Sequence, residues 1–170
     1  MFEITPEMQA EWDLNGDPKA TDEDIARLEA HIGAELPSEY AEFIRTYGFV
    51  AFSMDMNDGF DAAYEEGTGT VTRRGSIAYL MDPDRIVLTH RTAAREAPDE
   101  GYPMFPANFL PVAGDVGEGL VLLELSPKSG QVWYWPQRDA RWGEPGNTSL
   151  GFVAVNFEAF INGLKPYDAP

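Results

Sequence analysis

Residues 120–125 and 131–135 are apolar at almost every position, and the turn-forming run Ser126, Pro127, Lys128, Ser129 and Gly130 separates them. Successive side chains of a strand point to opposite faces, so a strand with one face in water alternates polar and apolar residues. These two segments do not alternate. They are predicted as a hairpin at the centre of a sheet, and a strand apolar on both faces needs cover on both. Helices must supply one cover. Loops, the N-terminal stretch around Trp12, or a partner must supply the other.

The helices are legible in residues 21–48. Thr21 is a capping residue, and Asp22, Glu23 and Asp24 fill a first turn, where free backbone N–H groups and the helix dipole favour negative charge. Ile25, Leu28 and Ile32 then recur at intervals of three and four, giving one narrow apolar stripe that Gly33 ends. Pro37 suits the first turn of a second helix, in which Tyr40, Phe43, Ile44 and Tyr47 repeat the spacing before Gly48. Asp82 and Pro83 open a third predicted helix with Ile86, Val87, His90, Ala93 and Ala94 on one face.

Between these, residues 49–52 read as a short buried strand, 55–66 as an acidic loop, and 70–81 as one strand or two joined near Gly75. Residues 97–111 hold four prolines and read as an ordered loop anchored by Phe105 and Phe109. The expected fold class is α+β, with a mainly antiparallel central sheet and helices packed on it. Residues 1–20 read as an N-terminal arm docked by Trp12, and 21–170 as a single domain.

The chain has 170 residues, enough for one domain that buries roughly 70% of its unfolded surface. A hydrophobic content of 44% and four Trp argue against disorder in spite of a net charge of −17. No cysteine is present, which excludes disulfides and thiolate metal sites and suits a reducing compartment. With neither a secretory leader pattern at the N-terminus nor a run of about 18 apolar residues, a cytoplasmic protein is expected.

The charge is unevenly spread. Residues 1–66 carry 17 acids against Lys19, Arg27 and Arg45, a net −14, whereas the remaining 104 residues carry only −3. Such a lobe repels nucleic-acid phosphates and anionic membranes, and it steers a cationic protein toward itself. Neither direct nucleic-acid binding nor membrane binding is expected.

Few residues offer chemistry. A Ser or Cys nucleophile needs an adjacent base, yet the only histidines, His31 and His90, both fall in predicted helices where a packing role is expected. No catalytic residue is assigned. The stretch from Asp55 to Glu66 imitates a calcium loop, but Gly59 and Phe60 stand where a ligand and then a glycine are needed. Gly114, Gly117 and Gly119 lack the spacing of a phosphate cradle, so neither metal nor cofactor is expected. Trp133, Tyr134, Trp135 and Trp142 form the most binding-like cluster, because large rings dominate protein interfaces.

The order Ile25, Leu28, Glu29, Gly33, Leu36, Pro37, Tyr40, Phe43, Ile44, Tyr47 and Gly48 resembles the opening of the SUKH superfamily, which includes fungal cell-wall synthesis regulators and bacterial toxin-immunity proteins. Leu110 through Asp115 and on to Gly119 and Leu120 resemble its central glycine-rich turn feeding a strand, and Gly130 through Trp135 the strand after it. Asn156, Phe157, Phe160 and Ile161 resemble its closing helix. The resemblance implies a non-catalytic binding protein that neutralises a cognate toxin, a basic one such as a nuclease. The alternative is a regulatory or scaffold interaction module of the cell-wall regulator type. An unrecognised hydrolase is a third reading, which would require a cleft with a perturbed carboxylate or histidine. Self-association is left open. The residues expected to meet a partner are Glu35, Glu39, Glu42, Asp55, Asp58, Asp61, Glu65 and Glu66, with Trp133, Trp135 and Trp142.

Overall fold

In chain order the elements are α1 (Pro6–Asn15), α2 (Asp22–Ile32), α3 (Ser38–Thr46), β1 (Gly59–Glu66), β2 (Gly69–Ser76) and β3 (Tyr79–Leu80), then α4 (Pro83–Ala93), β4 (Phe109–Gly114), β5 (Leu120–Glu124), β6 (Val132–Trp135), β7 (Gly151–Ala154) and α5 (Phe157–Asn162). They come from a computed structural model that describes residues 1–53, 58–94, 105–117, 119–125, 130–136 and 150–167. The strands form one antiparallel sheet in the order β2-β1-β7-β6-β5-β4-β3. This is the α+β arrangement predicted from the sequence, with helices packed on the sheet. Among the described residues no helix is long and apolar enough to cross a membrane.

The doubly apolar hairpin sits where it was expected. All five residues of β5 are buried, and it pairs with β6 through Leu120 opposite Trp135 and Leu122 opposite Trp133. Residues opposite each other share a face. On one face Tyr134 packs edge-on to Phe60 of β1, and Phe60 in turn meets Phe160 of α5. From α5, Phe157 reaches Tyr40 and Phe43 of α3, so an aromatic chain joins sheet and helices. On the other face Trp133 lies between Phe109 and Phe152.

The starts of α2 and α4 follow the predicted caps. Thr21 and Asp24 form a reciprocal capping box: the Asp24 N–H donates to the Thr21 hydroxyl at 3.2 Å, and the Thr21 N–H donates to the Asp24 carboxylate at 2.9 Å. Asp82 caps α4 by accepting from the Arg85 N–H, and Asn156 caps α5 by accepting from the Ala159 N–H. Pro37 stands at the cap of α3, one place before its first turn, and makes no side-chain capping bond.

Several elements differ from expectation. The N-terminal arm is itself helical over α1, because Thr5 caps it and Pro6 fits its first turn. Trp12, only 2% exposed, donates its indole N–H to the Ala51 carbonyl and packs against Phe43, Tyr47 and Phe52. It therefore covers α3, not the far face of the sheet. Phe49, Val50 and Phe52 are buried and Ala51 is half-buried, but these residues form no strand beyond one bridge between Ala51 and Tyr79. The break in 70–81 falls at residues 77–78, after Gly75, and Phe109 begins β4 instead of anchoring a loop. The predicted acidic loop is strand β1 from Gly59 onward; Asp55 lies outside the described residues.

The glycine-rich turn between β4 and β5 is organised by Asp115. One carboxylate oxygen accepts the N–H groups of Gly117 and Gly119, each at 2.7 Å, and the other accepts the Tyr134 hydroxyl at 2.5 Å. A Cβ on Gly119 would overlap both the Asp115 carboxylate and the Tyr134 hydroxyl. Burial, reinforced by donation to Asp115, holds the Tyr134 phenol protonated well above its ordinary range.

Candidate functional site

The acidic lobe divides in two once folded. The first part is helical: residues 1–53 carry 12 acids against Lys19, Arg27 and Arg45, a net −9. Arg27 pairs with Asp84 of α4, and Arg45 pairs with Asp22 of α2 at 3.1 Å. Twelve acids against these three bases leave most acids of this layer without one of them as a partner. Asp17 serves the fold instead, its carboxylate accepting the Ala51 N–H at 3.1 Å.

The second part is strand β1, and there bases arrive from other elements. Asp61 is bound by Lys165 at 2.6 Å and by Arg74 of β2 at 3.5 Å. The Lys165 hydrogen bond is the main reason its carboxyl is held below the ordinary aspartate value. Glu66 pairs with Arg73 at 2.6 Å, and Glu65 accepts the Thr70 hydroxyl at 2.8 Å. Asp58 is only 6% exposed and accepts the Tyr167 N–H at 3.2 Å. Of the acids predicted for a partner, those on β1 thus serve the fold locally, and those on α3 and the loop before it remain at the surface.

Glu35 and Glu42 are exposed on the rim of a groove of about 420 Å³ between α2 and α3. Its floor is apolar: Ile25, Leu36 and Ala41 are all under 8% exposed. Glu29 completes the rim, and one of its carboxylate oxygens accepts the Leu36 N–H at 3.1 Å, tying the α2–α3 connection to α2. Sequence reading missed Glu29, because its place follows from how the chain folds back after Gly33. Glu39 accepts the Ser38 hydroxyl at 2.9 Å and is half-buried.

The aromatic cluster is also divided. Trp135 is 1% exposed and packs on Phe105, so it belongs to the core. Trp133 is half-buried and donates its indole N–H to Glu124, itself buried, at 3.0 Å. Trp142 lies outside the described residues. The two histidines meet each other across α2 and α4, His31 Nε2 to His90 Nδ1 at 2.9 Å, and His90 Nε2 donates to the Ala107 carbonyl at 3.0 Å. A carbonyl only accepts, so in the neutral pair His90 carries its proton on Nε2 and His31 donates to it. Their polar atoms are used in packing the helices together.

Known proteins resemble this chain in sequence. A protein of Bacillus subtilis (strain 168), described as the SPbeta prophage-derived uncharacterized protein YokK, is 23% identical over 155 residues, which covers 88% of this chain and 78% of that protein. A sequence model of the SMI1 / KNR4 family (SUKH-1) matches residues 19–163, from the link before α2 to the end of α5. The chain therefore belongs to the SMI1 / KNR4 family (SUKH-1).

Proposed function

We propose that this protein is an immunity protein that neutralises a basic protein toxin, of which a nuclease is one kind, by direct binding and without catalysis. The observation that carries the reading is the unbalanced charge of the helical layer: 12 acids against three bases over residues 1–53, while Asp61 and Glu66 of β1 are met by Arg73, Arg74 and Lys165. A field of one sign on one layer raises the rate at which an oppositely charged protein arrives, and apolar contact then slows its departure. The apolar floor between α2 and α3 is a surface for that second step. Family membership supports a protein partner, and the prophage origin given for a relative fits a role in conflict between bacteria or their viruses.

The decisive experiment is co-expression with toxin domains encoded beside this gene. Protection of the host, together with a complex that survives gel filtration, is the expected result. Failure to protect against any neighbouring toxin, with resident signalling proteins captured instead, would reject this reading in favour of a regulatory module.

A further inference from the structure

Among the described residues, three cavities bear on what the surface can hold. One of about 200 Å³ adjoins Phe52, Asp58 and Ile77, but the Asp58 carboxylate already serves the Tyr167 backbone. Another of about 170 Å³ adjoins Phe60, Asp61 and Phe160, where Lys165 neutralises the carboxylate. The groove between α2 and α3 differs from both. Three carboxylates, Glu29, Glu35 and Glu42, stand on its rim against the single cation Arg45, which is turned to Asp22 at 3.1 Å.

We infer that this groove receives one arginine side chain from a basic protein partner, an inference that rests on the acidic helical layer being the partner-binding surface. Three features select that occupant. The volume of about 420 Å³ suits a side chain with its flanking backbone, not a folded element. The buried floor of Ile25, Leu36 and Ala41 matches an aliphatic stem, which long cationic side chains lay along apolar surface while the charged head stays at the rim. Glu35 from the loop and Glu42 from α3 supply carboxylates from two elements, and a planar guanidinium with five donors can serve two acceptors at once, as an ammonium does less well. Glu29 is already fixed by the Leu36 N–H, so part of the rim is ordered before any partner arrives.

The test titrates isotope-labelled protein with the peptide acetyl-Gly-Arg-Gly-amide and with its lysine and citrulline counterparts, following backbone amide signals. Saturable shifts centred on Ile25, Leu36 and Ala41 are expected with the arginine peptide at millimolar affinity, at least about tenfold weaker with citrulline, which keeps the shape and loses the charge. The double variant Glu35→Gln, Glu42→Gln, exposed on the rim and free of the bond that Glu29 makes, should weaken arginine binding about tenfold with an otherwise unchanged spectrum. Equal affinity for citrulline, tighter binding of lysine, or shifts elsewhere on the protein would overturn the assignment. A toxin partner separates this inference from the function it rests on. If the unaltered protein protects and the double variant binds the toxin equally well, the groove assignment fails and the function stands. If the unaltered protein protects against nothing, the function fails, and the peptide titration still decides the groove.

Discussion

Tyr40 and Gly119 show how much a single position can hide from the sequence. Tyr40 is fully buried among Phe157 and its neighbours, and its hydroxyl has no hydrogen-bond partner among the described residues. Burial alone raises its phenol above the ordinary range. An unmet buried hydroxyl costs stability, so Tyr40→Phe is expected to leave the protein equally stable or to stabilise it by about 1 kcal/mol in urea unfolding. A loss of more than that would reveal a partner for the hydroxyl. Gly119 is the opposite case: its α-carbon faces the Asp115 carboxylate and the Tyr134 hydroxyl, so Gly119→Ala must displace both of them. A destabilisation of about 2 kcal/mol or more is expected, with Tyr134→Phe milder because it adds no atom. The glycine-rich run was readable as a turn, but the carboxylate that holds it was not. Asp115 acts on a tyrosine 19 positions away, and local pattern carries no sign of that pairing.

At the scale of elements, the local rules worked where the structure is local. Helices α2 and α4 begin at the predicted caps because a capping side chain binds an N–H two or three residues on. Removing the α2 cap with Thr21→Ala is expected to cost about 1 kcal/mol of stability near neutral pH. Accepting the backbone N–H and hydroxyl of Thr21 lowers the Asp24 carboxyl below its ordinary value of 3.8. A depressed carboxyl stabilises the fold above its unfolded value, and the contribution fades as pH falls through the folded value. Thermal unfolding from pH 6 down to the acid side of 3.8 should therefore show the Thr21→Ala penalty shrinking. Strand β1 escaped the same reasoning. Asp58, Asp61, Glu65 and Glu66 look like a solvated loop until Arg73, Arg74 and Lys165 are placed beside Asp61 and Glu66, the Tyr167 N–H beside Asp58 and the Thr70 hydroxyl beside Glu65. Helix α1 was missed for a different reason: it buries only Met8 and Trp12, too few for an apolar stripe.

For the whole molecule, the charge distribution makes the sharpest prediction. If the helical layer captures a basic partner, neutralising Glu35, Glu39 and Glu42 together should lower the association rate about tenfold at low salt and flatten its dependence on ionic strength. Neutralising Asp61 and Glu66 should leave that rate nearly unchanged, because Lys165 and Arg73 already balance them. Stopped-flow or surface-binding measurements across a salt series would distinguish the two sets, and equal effects from both would refute the division. The sequence by itself determined that the chain folds as α+β, that a doubly covered hairpin lies at the centre of the sheet, and that the acids concentrate in residues 1–66. These depend on composition and short-range periodicity, which neighbouring residues express on their own. Only the tertiary structure decided which acids are balanced, that Trp135 is core while Trp133 stays half-buried, and that Glu29, Glu35 and Glu42 share one groove. Each of those depends on segments distant in sequence meeting in space, and it is packing of the folded chain that brings them together.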